Sequence, residues 1–106
     1  MIEQQTIRKI ADRILGATPP GTRVIVFGSV ARGTARADSD LDLLVVEPEQ
    51  KNHYQEAGRL YCLMRGIKTP LEILVTDAKT YEYWKETPCT VFNEAHREGQ
   101  VLGESA

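Results

Sequence analysis

The residues best suited to chemistry lie mostly in one stretch. "GSVARGTARADSDLD" (28–42) follows directly on the apolar run "VIVF", so a Gly-Ser turn comes straight after a strand-like segment. Asp40 and Asp42 then arrive with only Leu41 between them. Residues i and i+2 of a strand project to the same face, which sets the two carboxylates side by side. Charges that close repel unless a proton or cation lies between them. An oxygen-rich pair of this kind suits Mg²⁺, which takes one or two carboxylates and completes its shell with phosphate and water. The same Asp-Leu-Asp also fits a charged, exposed strand start with no ligand at all.

The turn ahead of the aspartates has its own use. Gly28 lets a ligand approach the backbone. The first amides of a following helix lack internal partners and, with the helix dipole, favour an anion such as phosphate. Ser29 either caps that helix or donates its hydroxyl to a phosphate oxygen. A tight turn with a Ser cap explains both residues without a ligand. No Gly-Lys-Ser/Thr follows, so this is not a Walker loop, and the missing G-x-S-x-G excludes a nucleophile elbow. A third acid, Glu72, is the second residue of "LEILV". Flanked by Leu71 and Ile73, it faces away from the apolar side, and it reaches the aspartates if its strand pairs beside 41–46. A phosphate turn, paired aspartates and a third acid are the parts of a two-metal phosphoryl or nucleotidyl transfer site.

Alternating strands and helices must position these parts. Ile7, Ile10, Ala11, Ile14 and Leu15 recur at helical spacing and predict an amphipathic helix over 2–16, ended by Pro19, Pro20 and Gly21. "RVIVF" (23–27) reads as a buried strand, 29–34 as a short helix, 35–39 as a polar loop and "LDLLVV" (41–46) as a second strand stopped by Pro48. Tyr54, Ala57, Leu60, Tyr61 and Met64 mark a helix over about 50–65, with Gly66 placed as its C-terminal cap. A third strand covers 71–75. Asp77 is placed to cap a helix through "AKTYEYWKE", and Pro88 to open a last one holding Val91, Phe92 and Ala95. This alternation predicts a compact α/β layer structure forming a single domain over residues 1–106.

"GSVARGTARADSDLDLLVV" resembles the signature of the polymerase β-like nucleotidyltransferase superfamily: Gly-Ser, a following Ala-Arg-Gly, then Ser-Asp-x-Asp-Leu. The chain length and the tail "VFNEAHREGQVLGE" look like the minimal nucleotidyltransferases in particular. The general similarity spans nearly the whole chain, while its specific part is residues 27–46. The resemblance implies a small mixed β-sheet with helices packed mainly on one face. It further implies that Gly28 and Ser29 hold a nucleotide's triphosphate and that Asp40 and Asp42 coordinate two Mg²⁺ ions. The third family carboxylate, which binds the first metal or deprotonates the nucleophile, falls on Glu72. Glu is one methylene longer than the family's usual Asp, which calls for either a shifted strand or weaker activity. Arg32 either contacts phosphate or pairs with an acid such as Asp38. Ser39 counts with Gly28, Ser29 and Arg32 among the nucleotide-binding residues and is placed to fix the loop through local backbone bonds.

The same resemblance implies transfer of AMP or another NMP from ATP to a hydroxyl. Minimal nucleotidyltransferases are typically paired as antitoxins with a small helical HEPN toxin, so the implied acceptor is a tyrosine on that partner. Two other readings stay open. One is a non-enzymatic protein of the same fold that neutralises its partner by occlusion. The other is a transferase for a small molecule such as an aminoglycoside, which needs a partner or homodimer to build its acceptor pocket.

Composition is compatible with all three. The 106 residues are 42% hydrophobic and 26% charged, as in ordinary globular domains. A net charge of −2 offers no general attraction to nucleic acid or an anionic membrane. Residues 1–36 nevertheless hold six Lys/Arg against two Asp/Glu, and the remainder seven against thirteen. That split suits an anionic substrate held between the halves, and equally suits solvated helix faces. Cys62 and Cys89 fit no metal or redox spacing and read as buried free thiols in a reducing cytoplasm. No signal peptide is visible, and no apolar run approaches the roughly 18–20 residues needed to span a bilayer. His53 and His96 fit no ligand spacing and read as helix-surface residues. Tyr81, Tyr83 and Trp84 read as core for their own helix, with a partner-binding or base-stacking patch as the alternative.

Overall fold

The structure, a computed structural model, describes residues 2–106. Along the chain run α1 (Gln4–Leu15), β1 (Arg23–Phe27), α2 (Gly28–Arg32), β2 (Leu41–Glu47) and α3 (His53–Cys62). They are followed by β3 (Leu71–Asp77), α4 (Ala78–Trp84), α5 (Val91–Glu98) and β4 (Gln100–Glu104). The strands form one sheet in the order β3-β2-β1-β4. β1 runs antiparallel to both neighbours and β2 runs parallel to β3, so the sheet is mixed as expected.

Period-two alternation along the strands builds a core on each side of this sheet. Val24 and Val26 of β1 with Leu41, Leu43 and Val45 of β2 pack under Ile7, Ile10 and Ile14 of α1 and Leu60 of α3. The two longest helices thus share one face. The other face is not bare: Ile25, Phe27, Leu44 and Val46 meet Tyr81 of α4 and Ala95 of α5. Each side chain fully withdrawn from water here contributes about 1.5–3 kcal/mol relative to exposure.

Several local details differ from the sequence-based expectations. Asp77 does cap α4, its Oδ1 accepting from Thr80 N at 2.7 Å. The last helix, however, starts after Thr90, whose Oγ1 accepts from Asn93 N at 3.1 Å; Pro88 lies ahead of it in a turn. α3 ends at Cys62 with Leu63 as its cap, so Gly66 belongs to the following turn and does not cap the helix. Cys62 and Cys89 are free thiols but both are exposed, contrary to the buried pair expected. The strand β4 had no clear signal, because Val101 is 59% exposed and Gly103 interrupts any alternation. Pairing with β1 stabilises it, and Ser105 locks its end by donating through Oγ to Leu15 O at 2.9 Å.

Tyr61 of α3 covers part of the outer edge of β3. Its hydroxyl accepts from Ile73 N at 2.7 Å and donates to Leu71 O at 3.3 Å. Two backbone groups of an edge strand are thereby satisfied without another strand.

Candidate active site

Register decides what stands beside Asp42. The antiparallel pairing sets it opposite Phe27, and the parallel pairing sets it opposite Glu72. It therefore sits at the sheet end where β1 leaves for α2 and where β2 and β3 begin. Asp42 shares its pleat face with Leu44 and Val46, so its carboxylate opens toward the side covered by α4 and α5. Asp40 lies just ahead of β2 and is exposed. Glu72 is exposed as well.

Gly28 completes this corner. Its φ is 75°, in the left-handed region, and a Cβ there would run into the Asp42 carboxylate. Glycine is thus required both by conformation and by the approach of the acid. α2 carries no side-chain cap: Phe27 occupies the N-cap position, so Ser29 does not serve as the cap that one reading gave it. The helix closes at Gly33, φ 77°, whose N–H bonds back to Ser29 O and Val30 O. Ser39 holds the intervening loop, its Oγ accepting from Arg36 N at 2.8 Å while its own N–H donates to Arg36 O at 3.1 Å.

Electrostatics shows that the acids are close. Partial burial, and then the charge and hydrogen-bonding reach of Glu72, push the Asp42 carboxyl up to about 6. Asp40 and Glu94 add smaller contributions in the same direction. A proton is retained where two carboxylates share a half-buried corner, and a cation would replace it. No three or more His, Cys, Asp or Glu side chains are gathered into a metal cage among the described residues. Asp42 and Glu72, with Asp40 beside them, fit an ion that keeps several water or phosphate ligands, as Mg²⁺ does.

The chain matches the family described as "Nucleotidyltransferase domain" over residues 5–97. It belongs to that family. Among solved structures, the nucleotidyltransferase domain resembles a candidate nucleotidyltransferase from Sulfolobus solfataricus. The TM-score is 0.62 at 20% identity, over 94% of this chain and 78% of that one. A toxin–antitoxin complex with AMP-PNP aligns with TM-score 0.60 at 17% identity, over 98% and 75% of the two chains. A mutant of the toxin–antitoxin MntA-HpeT aligns with TM-score 0.61 at 16% identity, again over 98% and 75%. At these identities the structures establish the shared fold. No curated protein is significantly similar in sequence.

Arg32 does not pair with Asp38; its Nη1 donates to Glu98 Oε2 at 3.0 Å and Glu94 Oε2 at 3.4 Å. Those two acids of α5 escaped the sequence reading. Their i,i+4 spacing marks a helical face, but only the tertiary contact of α5 with α2 turns that face to the site. His53 lies 3.4 Å from Asp77, at the far end of the sheet, and His96 is exposed. Tyr81 is core, whereas Tyr83 and Trp84 are exposed and stack edge to face at 4.9 Å. None of the described helices is long and apolar enough to cross a membrane.

Proposed function

We propose that this nucleotidyltransferase transfers AMP from ATP to a protein hydroxyl, and that the acceptor is a tyrosine of a HEPN-family toxin silenced by the modification. The observation that carries the reading is the corner where Gly28, Asp42 and Glu72 meet at one sheet end. Folds that hold a toxin–antitoxin complex, one of them with AMP-PNP, support the setting.

In this reading Gly28 and Ser29 receive the triphosphate, and the missing Cβ of Gly28 lets the Asp42 carboxylate lie against that turn. Asp40, Asp42 and Glu72 would hold Mg²⁺. When bound, the ion supplies neutralisation of charge at the α-phosphate and on the departing pyrophosphate. The incoming hydroxyl oxygen bonds to the α-phosphorus while the bond to pyrophosphate breaks. Glu72, the acid facing solvent on the partner strand, takes up the hydroxyl proton.

The length of Glu72 favours a second reading. A carboxylate one methylene longer than the family's usual Asp suits a domain that neutralises its partner by occlusion, with weak chemistry or none. Titration calorimetry of ATP, with Mg²⁺ and then with EDTA, separates the two. Binding that needs Mg²⁺ and disappears in D40A/D42A supports transfer. A partner neutralised equally well by the wild type and the double variant, without ATP, supports occlusion.

A further inference from the structure

Arg32 ends the short helix that begins at Gly28, so its side chain leaves α2 on the side shared with Gly28 and Ser29. The structure ties that side chain to a distant helix. Both of its ion-pair bonds, to Glu98 at 3.0 Å and Glu94 at 3.4 Å, come from the single nitrogen Nη1. Among the described residues the guanidinium makes no other side-chain bond, which leaves the Nε and Nη2 donors without a protein acceptor. Arg32 borders an open polar groove of about 380 Å³ that Asn93, Glu94, Arg97 and Glu98 also line.

Folding stability does not account for the arrangement. The Arg32 side chain is 44% exposed and those of Glu94 and Glu98 are 38% and 28% exposed, and ion pairs this wet add little to stability. What they do is restrict a long side chain. A guanidinium held through Nη1 presents its Nε/Nη2 edge as a planar fork, the geometry that matches two phosphate oxygens. An anion can take that edge without breaking either bond to α5.

We infer that Glu98, assisted by Glu94, is a positioning residue for the nucleotide: it fixes Arg32 so that the free edge of the guanidinium meets the triphosphate above Gly28 and Ser29. The inference rests on the triphosphate reading of that turn. It gives α5 a function besides covering the sheet.

The test is titration calorimetry of ATP with Mg²⁺ into the full chain and its variants, each with a thermal melt. Arg32→Gln weakens binding, and Glu98→Gln weakens it by about three- to tenfold, as loss of one charge-assisted contact does. The double variant binds no more weakly than Arg32→Gln alone, because the two residues act as one unit. Glu98→Asp, which keeps the charge, recovers most of the affinity, and all melts stay close to the wild type. Wild-type affinity in Glu98→Gln beside a weakened Arg32→Gln overturns the positioning role. Tighter binding in Glu98→Gln overturns it too, since the acids would then be competing with phosphate. A wild type that does not bind ATP, or an Asp42→Ala variant that binds it unchanged, overturns the nucleotide reading and this inference with it.

Discussion

Replacing Glu47 by Gln should stabilise the domain above neutral pH and leave it nearly unchanged in acid. Glu47 closes β2 at the sheet end away from Asp42 and Glu72 and is 2% exposed. Its Oε1 accepts from Gln50 Nε2 at 3.3 Å, while its buried Oε2 has no partner. The nearby cation is already engaged: Arg59 donates through Nε and Nη2 to Glu56 at 2.7 and 2.8 Å, and through Nη2 to Ala17 O at 2.8 Å. Glu56 is accordingly held down to about 2, chiefly by Arg59. Glu47 is pushed up to about 7, first by burial and then by Glu56. Glu47 is therefore the acid that keeps its proton, and its hydroxyl can donate to Glu56.

The sign follows from proton counts. Between about 4.5 and 7 the folded chain holds a proton on Glu47 that the unfolded chain has released, so stability falls as pH rises through this window. The rise from the ordinary carboxylate range to about 7 corresponds to about 3 kcal/mol. Part of that is the same Glu47–Glu56 contact seen from its other side, so a gain of about 2 kcal/mol is expected. Gln has no proton to lose and keeps a donor toward Glu56. Urea unfolding of both proteins from acid to about pH 8.5 should show a difference near zero in acid that grows by about 2 kcal/mol. On melting, that is roughly 10 °C for a domain of this size. Carboxylates other than Glu56 titrate alike in both proteins and cancel. A difference that does not vary with pH, or a Gln variant less stable at high pH, refutes the protonated-acid account.

Three further outcomes are expected. In the proposed site Mg²⁺ would displace the proton held by Asp42, so affinity for Mg²⁺ with ATP should fall by up to about tenfold per unit as pH drops below about 6, read by calorimetry across pH. Gly28→Ala forces a left-handed backbone on a residue with a Cβ and drives that Cβ into Asp42. It should cost about 1–2 kcal/mol in urea unfolding and abolish ATP binding, and unaltered binding would show that the corner is not the nucleotide site. Tyr61→Phe removes the hydroxyl shared by Ile73 N and Leu71 O and should cost about 1 kcal/mol, with faster amide exchange at Ile73 as the local readout.

Much of this protein was legible from its sequence because much of it is local. Strand β1 runs over Arg23–Phe27 as the run of β-branched and aromatic residues indicated, and Asp77 caps α4 through a bond spanning three residues. The Gly-Ser turn, the Ser39 loop bond and the placement of Asp42 opposite in face to Leu41 and Leu43 likewise arise within a few residues. Helix ends were less legible. Gly66 and Pro88 are strong punctuation, yet α3 ends earlier, at Cys62, and Thr90 supplies the acceptor that caps α5. Both thiols were misplaced because Cys62 and Cys89 sit on surfaces that no short-range pattern marks as wet.

Short-range patterns in the chain, then, were enough to mark the glycine at the corner, the candidate acids and every element except β4, since periodicity and turn chemistry operate over neighbouring residues. Tertiary structure alone decided which acid faces Asp42, through the register that sets Glu72 opposite it. It also chose the partners of Arg32, 62 and 66 residues away, and left Glu47 buried where the Arg59 guanidinium serves Glu56 instead. A pairing register is set by the whole buried face, and a carboxyl's proton affinity by every charge and surface around it. Neither quantity belongs to any short stretch of chain.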